Sequence, residues 1–330
     1  HKMKKLLIGI SGSSILHKDT EPEFSIEEKF RIVSESQVYD YIEKTPPKKE
    51  IDEYKRCSEK YNVPIRCGGW YYTLGRDEGL LLEHLKSGSE LGSKYHNTQL
   101  LSNHANGHII TNEEIVNIYL KAAEYGENVG CVPCLEIHVN MWSEDFLRVE
   151  EVAQLVEAKG YTFRMTLDHS HVIFKIDNEE EQKIFDINKD IEKGKLILDP
   201  FIEGNICDNW ISSNYVFHMH ARSVIPNNPK NIMQNHTDGS VGRGIQYPFT
   251  RPKKDEFHTD WNEDLLEPWK KVVISVMKYH KNTNSSGLGQ ITTEFIPFPD
   301  YGGGAKYSIY NNSLACAKWL KKTWREINSN

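Results

Sequence analysis

Apolar residues along this chain fall into short continuous runs, separated by longer stretches in which they recur at the spacing of an amphipathic helix. The runs predict strands at Leu6 to Ile10, Val38 to Ile42, Pro64 to Cys67, Thr98 to Leu101, Cys134 to His138, Thr162 to Leu167, Tyr215 to His220 and Gln290 to Phe295. The intervening stretches predict helices at Ile26 to Ser34, Lys48 to Tyr61, Glu78 to Leu91, Thr111 to Tyr125, Ser143 to Ala158, Glu179 to Lys193, Asn262 to Tyr279 and Ser313 to Ile327. Ser25-Ile26-Glu27-Glu28 and Thr111-Asn112-Glu113-Glu114 each set a hydroxyl three residues ahead of a glutamate, a pattern that caps a helix N-terminus. Strand then helix, repeated with no shift of composition and no Pro/Gly/Ser-rich linker, predicts a parallel sheet closed on itself. The expected fold is α/β, a (β/α)8 TIM barrel, with residues 1–330 as one domain.

One stretch breaks the rhythm. Residues from about 223 to 260, rich in Pro, Asn and Gly, exceed a plain connection and read as a lid or interface over the barrel mouth. Long loops also follow the first strand (Ser11 to Phe24) and the eighth (Pro297 to Tyr307). The second holds Gly302-Gly303-Gly304, which without a Lys-Ser/Thr partner reads as a flexible loop rather than a phosphate cradle.

Composition narrows the function classes. Lys and Arg number 40 against 47 Asp and Glu, for a net charge of -7. That is the wrong sign for wrapping a phosphate backbone, which argues against nucleic-acid binding. With 38% hydrophobic and 26% charged residues the chain is globular, and no stretch approaches the ~18 to 20 apolar residues of a membrane span. Leu6 to Ile10 runs straight into Ser11-Gly12-Ser13-Ser14, so no signal-peptide core is expected. Of six cysteines only Cys131 and Cys134 lie close together, a weak metal or redox signal. Reduced cysteines and a cytoplasmic location are the expectation.

In such a barrel the reactive groups stand at the carboxyl ends of the strands. The fifth strand ends in Leu135-Glu136-Ile137-His138-Val139-Asn140, with Glu136 and His138 on one face. The sixth ends in Asp168-His169-Ser170-His171, the seventh in His218-Met219-His220-Ala221-Arg222, and the eighth in Thr293-Glu294. Each has a bland reading alone: an ion-paired barrel residue, a helix cap, a hydrogen-bonded core histidine. Together, three carboxylates and a histidine would converge on one point, and burying those carboxylates without a cation would be severely unfavourable. A divalent ion removes the difficulty. Mixed oxygen and nitrogen donors suit Mn2+, the expected ion, and also Co2+, Mg2+ or Zn2+.

The order Glu, Asp-x-x-His, His-x-Arg, Glu at the ends of strands five to eight resembles the xylose isomerase-like TIM barrels, the sugar isomerase and epimerase superfamily. The resemblance covers nearly the whole chain as architecture and these four motifs in particular. It implies that Glu136, Asp168, His220 and Glu294 hold one divalent metal, that Glu136 and Glu294 act as base and acid, and that His171 and Arg222 hold substrate oxygens. His220 is chosen over His218 because it lies nearer the strand end. His138, the added length and Asn140-Met141-Trp142 depart from the epimerase pattern. A Glu-x-His at this strand end is similar to the large subunit of the bacterial C-glycoside deglycosidases. That resemblance implies a hetero-oligomer with a small β-rich partner subunit, and cleavage of the carbon-carbon bond of a 3-oxo-C-glycoside.

The expected function is therefore a metal-dependent keto-sugar lyase working through an enediolate, with His138 as the base at C2 of the oxo-sugar. The alternative is a ketose 3-epimerase or aldose-ketose isomerase on free sugars. Both use the ion to polarise a carbonyl while a tuned side chain removes the neighbouring proton. His104, Asn140 and Trp142 are further candidates for lining the substrate pocket, beside Trp70 and Tyr71. A non-catalytic sugar-binding or scaffold role would leave the opposed carboxylates without a purpose.

Overall fold

The computed structural model describes residues 3–18, 20–227, 235–302 and 306–329. Its eight parallel strands are β1 (Leu7–Ser11), β2 (Tyr41–Glu43), β3 (Ile65–Tyr72), β4 (Tyr95–Leu100), β5 (Val132–Glu136), β6 (Met165–Leu167), β7 (Val216–Ala221) and β8 (Gln290–Thr293). They follow one another around a closed barrel, and β8 pairs with β1 through Leu7 to Ile10 against Gln290 to Thr293. This is the expected architecture. The helices are α1 (Ile26–Ser36), α2 (Ile51–Tyr61), α3 (Glu78–Leu91), α4 (Asn112–Val129), α5 (Phe146–Ala158), α6 (Ser170–Ile173), α7 (Glu179–Ile184), α8 (Ile187–Glu192), α9 (Ile206–Ser212), α10 (Glu267–Asn282) and α11 (Ile309–Asn328). None of the described helices is long and apolar enough to cross a membrane.

Both capping signals act as read: Ser25 accepts from Glu28 N, and Thr111 and Glu114 form the reciprocal pair. The single helix expected over Glu179 to Lys193 is two, because Asp186 takes a left-handed conformation at φ 55° and turns the chain. Helix α9 was not foreseen. The main core lies between barrel and helices, with Phe30, Phe146, Trp210 and Trp269 fully buried. The six cysteines are buried and free.

Where large aliphatic residues usually fill such a barrel, this one carries a hydrogen-bonded polar layer. The Tyr41 hydroxyl lies 2.7 Å from Thr292 Oγ1, and Thr292 donates to Glu43 Oε1 at 3.1 Å. His218 sits at this level with Nε2 2.9 Å from Glu43 Oε1, one layer below His220 as expected. Tyr41 fits only because β1 carries Gly9: a Cβ there would lie 2.2 Å from the tyrosine ring.

The connection from β7 to the turn at Glu263–Leu266 is long, as expected for 223–260, although 228–234 lie outside the described residues. Its Arg243 Nη2 reaches Glu144 and Glu181, both also bound to Lys175 Nζ at 2.7 and 3.1 Å. It is tied to the loop after β8, where His236 Nε2 lies 3.0 Å from Asp300 Oδ1. Gly303 and Gly304 of the glycine run also lie outside the described residues.

Candidate active site

Four strand ends bring Glu136, Asp168, His220 and Glu294 together. Glu136 is the last residue of β5, Asp168 and Glu294 come immediately after β6 and β8, and His220 is the penultimate residue of β7. His220 Nδ1 lies 2.9 Å from Glu136 Oε1 and 2.8 Å from Glu294 Oε2. Ligand-type atoms of Glu136, Asp168 and His220 lie within 4.8 Å of one another. Those of Glu43, His220 and Glu294 do the same.

Glu43, at the end of β2, is the residue that sequence reasoning missed. Its Oε2 lies 2.7 Å from His220 Nε2, and its Oε1 accepts from Asn97 Nδ2 at 2.9 Å. The strand-end rule, applied to the second predicted strand, would have found it. With Nε2 facing Glu43 and Nδ1 facing Glu136 and Glu294, both ring nitrogens donate to carboxylates, so the ring carries a proton on each.

The electrostatics follow from this crowding. Burial alone would lower the pKa of His220, but Glu294, Glu43 and Glu136 raise it well above the usual imidazole range. Burial raises the Glu294 carboxyl above its ordinary value, and the charge on Glu136 adds to this. In Glu136 the attraction of His220 overcomes burial, so that carboxyl is lowered. Asp168 is held well below its ordinary value despite burial, by Arg222 and then His171.

Arg222 and His171 are wholly buried around Asp168 rather than on the cavity surface. Arg222 Nη2 lies 2.8 Å from Asp168 Oδ2, and Nη1 lies 3.3 Å from Glu294 Oε1. His171 Nε2 stands 3.3 Å from Asp168 Oδ2, and the Ser170 hydroxyl donates to Asp168 Oδ1. Both residues, expected to hold substrate oxygens, instead orient an acidic side chain. Gln99 does the same for Glu136, donating to Oε2 at 2.8 Å.

His138 lies just past β5 and is buried. Its Nδ1 is 2.6 Å from the Val139 carbonyl, which can only accept, so Nδ1 carries the proton and Nε2 is the acceptor facing the Tyr301 hydroxyl at 3.2 Å. The ring packs against His171 with centroids 4.2 Å apart.

The three other pocket candidates stand elsewhere. Trp142 is 1% exposed in the core, beneath the Arg148 guanidinium. Asn140, at φ 66°, accepts from Arg243 in the loop clamp. His104 stacks on His108 at 4.5 Å in the loop after β4. None of them lines the cavity of about 230 Å3 bounded by Ser11, Glu43, Lys44, Gln99, Glu136 and Glu294, into which Trp70 and Tyr71 also face. Local sequence placed these side chains near a strand end; the loop conformations turned them away.

The donor set fits a divalent cation. The carboxylates of Glu43, Glu136 and Glu294 surround one imidazole, and ligand-type atoms of Asp168, Glu136 and His220 lie within 4.8 Å of one another. A cation at Nδ1 of His220 would replace a proton held there only by surrounding negative charge.

The closed barrel has the fold of the xylose isomerase-like TIM barrels. D-allulose 3-epimerase from Methylomonas sp. superposes with a TM-score of 0.58 at 13% identity, over 98% of this chain and 100% of that one. A xylose isomerase domain protein from Planctomyces limnophilus gives 0.57 at 10% identity, over 99% and 100%. L-ribulose 3-epimerase gives 0.54 at 11%, over 98% and 96%. No protein-family model matches the sequence, and no curated protein matches it.

Proposed function

We propose that the protein is a divalent-metal-dependent isomerase or epimerase of keto-sugars. The observation that carries this reading is the convergence of Glu136, Asp168, His220 and Glu294 beside a polar cavity, on a fold shared with two solved sugar 3-epimerases. Glu136, Asp168, His220 and Glu294 would hold the ion, Mn2+ being the first choice and Co2+, Mg2+ or Zn2+ chemically compatible. When bound, it would supply Lewis acidity to the sugar carbonyl and so make the neighbouring C–H easier to deprotonate.

The chain's own residues divide the proton work. Glu136, its carboxyl lowered by His220, would take the proton from the carbon beside the carbonyl, and Glu294, its carboxyl raised by burial, would return one. Arg222 and His171 keep Asp168 ionised and fixed. Gln99 holds Glu136 in register with the cavity.

The test is deuterium exchange at C3 of D-allulose or D-fructose in D2O with Mn2+, followed by NMR. Exchange is expected with the native chain and lost, by at least about a hundredfold, in Glu294→Gln. Native protein that takes up no divalent ion and exchanges no label would overturn the reading.

A second reading is favoured by one feature, the buried His138, whose Nδ1 faces the Val139 carbonyl and whose Nε2 faces the Tyr301 hydroxyl, a histidine that an epimerase using two glutamates does not need. As base at C2 of a 3-oxo-sugar it would make the protein a C-glycoside lyase, acting with a small β-rich partner subunit. Release of aglycone from a 3-oxo-C-glycoside, lost in His138→Ala, would support it. Co-purification of a small partner chain would favour it further.

A further inference from the structure

Beneath the polar cavity, four strands send polar side chains to one point. Glu43 ends β2, Cys67 is the third residue of β3, His218 the third of β7 and Thr292 the third of β8, and all four are buried. Cys67 Sγ lies 2.9 Å from Glu43 Oε1, 3.8 Å from His218 Nε2 and 3.7 Å from Thr292 Oγ1. His218 Nε2 and Thr292 Oγ1 stand 2.9 and 3.1 Å from the same carboxylate oxygen and 3.3 Å from each other.

Hydrogen bonding leaves this cluster with more protons than acceptors. Glu43 Oε1 is faced by the Cys67 thiol, His218, Thr292 and, at 2.9 Å, the Asn97 amide. A carboxylate oxygen offers about two lone pairs, and the second oxygen of Glu43 is engaged with His220 at 2.7 Å. Cys67 also differs from the other cysteines among the described residues, since it alone meets both a carboxylate and an imidazole.

We propose that Glu43, Cys67 and His218, with the Thr292 hydroxyl as fourth donor, form a zinc site separate from the ion site at Glu136, Asp168, His220 and Glu294. Bonds of about 2.0 to 2.3 Å to a tetrahedral zinc ion set its ligand atoms about 3.3 to 3.6 Å apart. The six separations here run from 2.9 to 3.8 Å, around that range. The sulfur donor selects zinc over Mn2+ or Mg2+, which favour oxygen ligands. One thiolate and one carboxylate cancel the charge of a divalent ion, so the buried group is neutral as a whole. On binding, the Cys67 proton leaves to solvent and His218 carries its own proton on Nδ1. There the Gln290 side-chain amide, 3.1 Å away, turns its oxygen inward to accept it. Glu43 lines the polar cavity as well, which gives the ion its way in.

The test is titration of the full chain with Co2+, a zinc surrogate whose bond to a thiolate absorbs strongly in the near ultraviolet, while its bonds to oxygen and nitrogen do not. The native chain is expected to show this band, to lose it when Zn2+ is added, and to keep it in the presence of Mn2+. Asp168→Asn, which disables the upper site, should keep the band. Cys67→Ser should lose it with far-ultraviolet circular dichroism unchanged; His218→Gln, expected to lose it too, is the second variant should the first not fold. Elemental analysis should find two ions per native chain and one in either Asp168→Asn or Cys67→Ser. No band in the native chain at saturating Co2+, or a band that survives in Cys67→Ser, would overturn the site. A band lost in Asp168→Asn as well would mean one shared site and overturn it equally. One ion per native chain with the band intact would keep this site and count against the upper one.

Discussion

His220 is the pivot of the site, because both ring nitrogens meet carboxylates: Glu43 on one side, Glu136 and Glu294 on the other. Glu43 holds the proton on Nε2, which would leave Nδ1 for an ion, the role a supporting carboxylate plays for a ligating histidine. Glu43→Gln should therefore weaken Mn2+ binding about 10- to 100-fold while far-ultraviolet circular dichroism stays unchanged. Calorimetric metal titration checks this, and unaltered affinity would show that Glu43 serves only the polar layer around His218. Glu136, Asp168, His220 and Glu294 were legible because each stands at a predicted strand end, where the barrel geometry sends side chains to a common axis. Glu43 stands at such an end too, but one acidic residue before Lys44 carries no motif. His104, Asn140 and Trp142 show the opposite failure, since a loop side chain's direction depends on φ and ψ that local sequence does not dictate.

At the scale of elements, two features hold the mouth of the barrel in shape. The β1–β2 contact depends on Gly9, and Gly9→Ala would drive a methyl into the Tyr41 ring. Overpacking of this kind costs about 1 to 3 kcal/mol, and urea unfolding should show a lowered midpoint with unchanged slope. The other feature is the buried cluster of Arg243, Glu144, Glu181 and Lys175 that pins the long loop. Burial alone would raise Glu144, but Lys175 and Arg243 hold it down at about 2, against an ordinary 4.5. A carboxyl depressed on folding contributes stability that is complete above its unfolded pKa and is lost as pH falls toward the folded one. At about 1.4 kcal/mol per unit, the contribution of Glu144 is of the order of 3 kcal/mol, fading between pH 4.5 and about 2. Thermal melts across that window should fall less steeply in Glu144→Gln than in the native chain. Equal slopes would remove Glu144 from the loop's stability. The strand and helix periods made most elements legible. The break at Asp186 and helix α9 were not, because a single left-handed residue or a two-turn helix leaves too short a pattern.

For the whole molecule, a cation that binds only the folded barrel must stabilise it by mass action. Mn2+ at a hundred times its dissociation constant should add about 2.7 kcal/mol and raise the melting temperature, an effect that EDTA reverses and Asp168→Asn abolishes. A melting temperature indifferent to Mn2+ and EDTA would mean that the acidic cluster is held by His220 and Arg222 alone. The sequence by itself determined the strand and helix order and the chemistry standing at the strand ends, since both follow from periodicities of two and 3.6 residues. Only the tertiary structure decided that Glu43 joins His220 and that Arg222 and His171 serve Asp168. Those contacts join residues far apart along the chain, and closure of the barrel is what brings them within hydrogen-bonding distance.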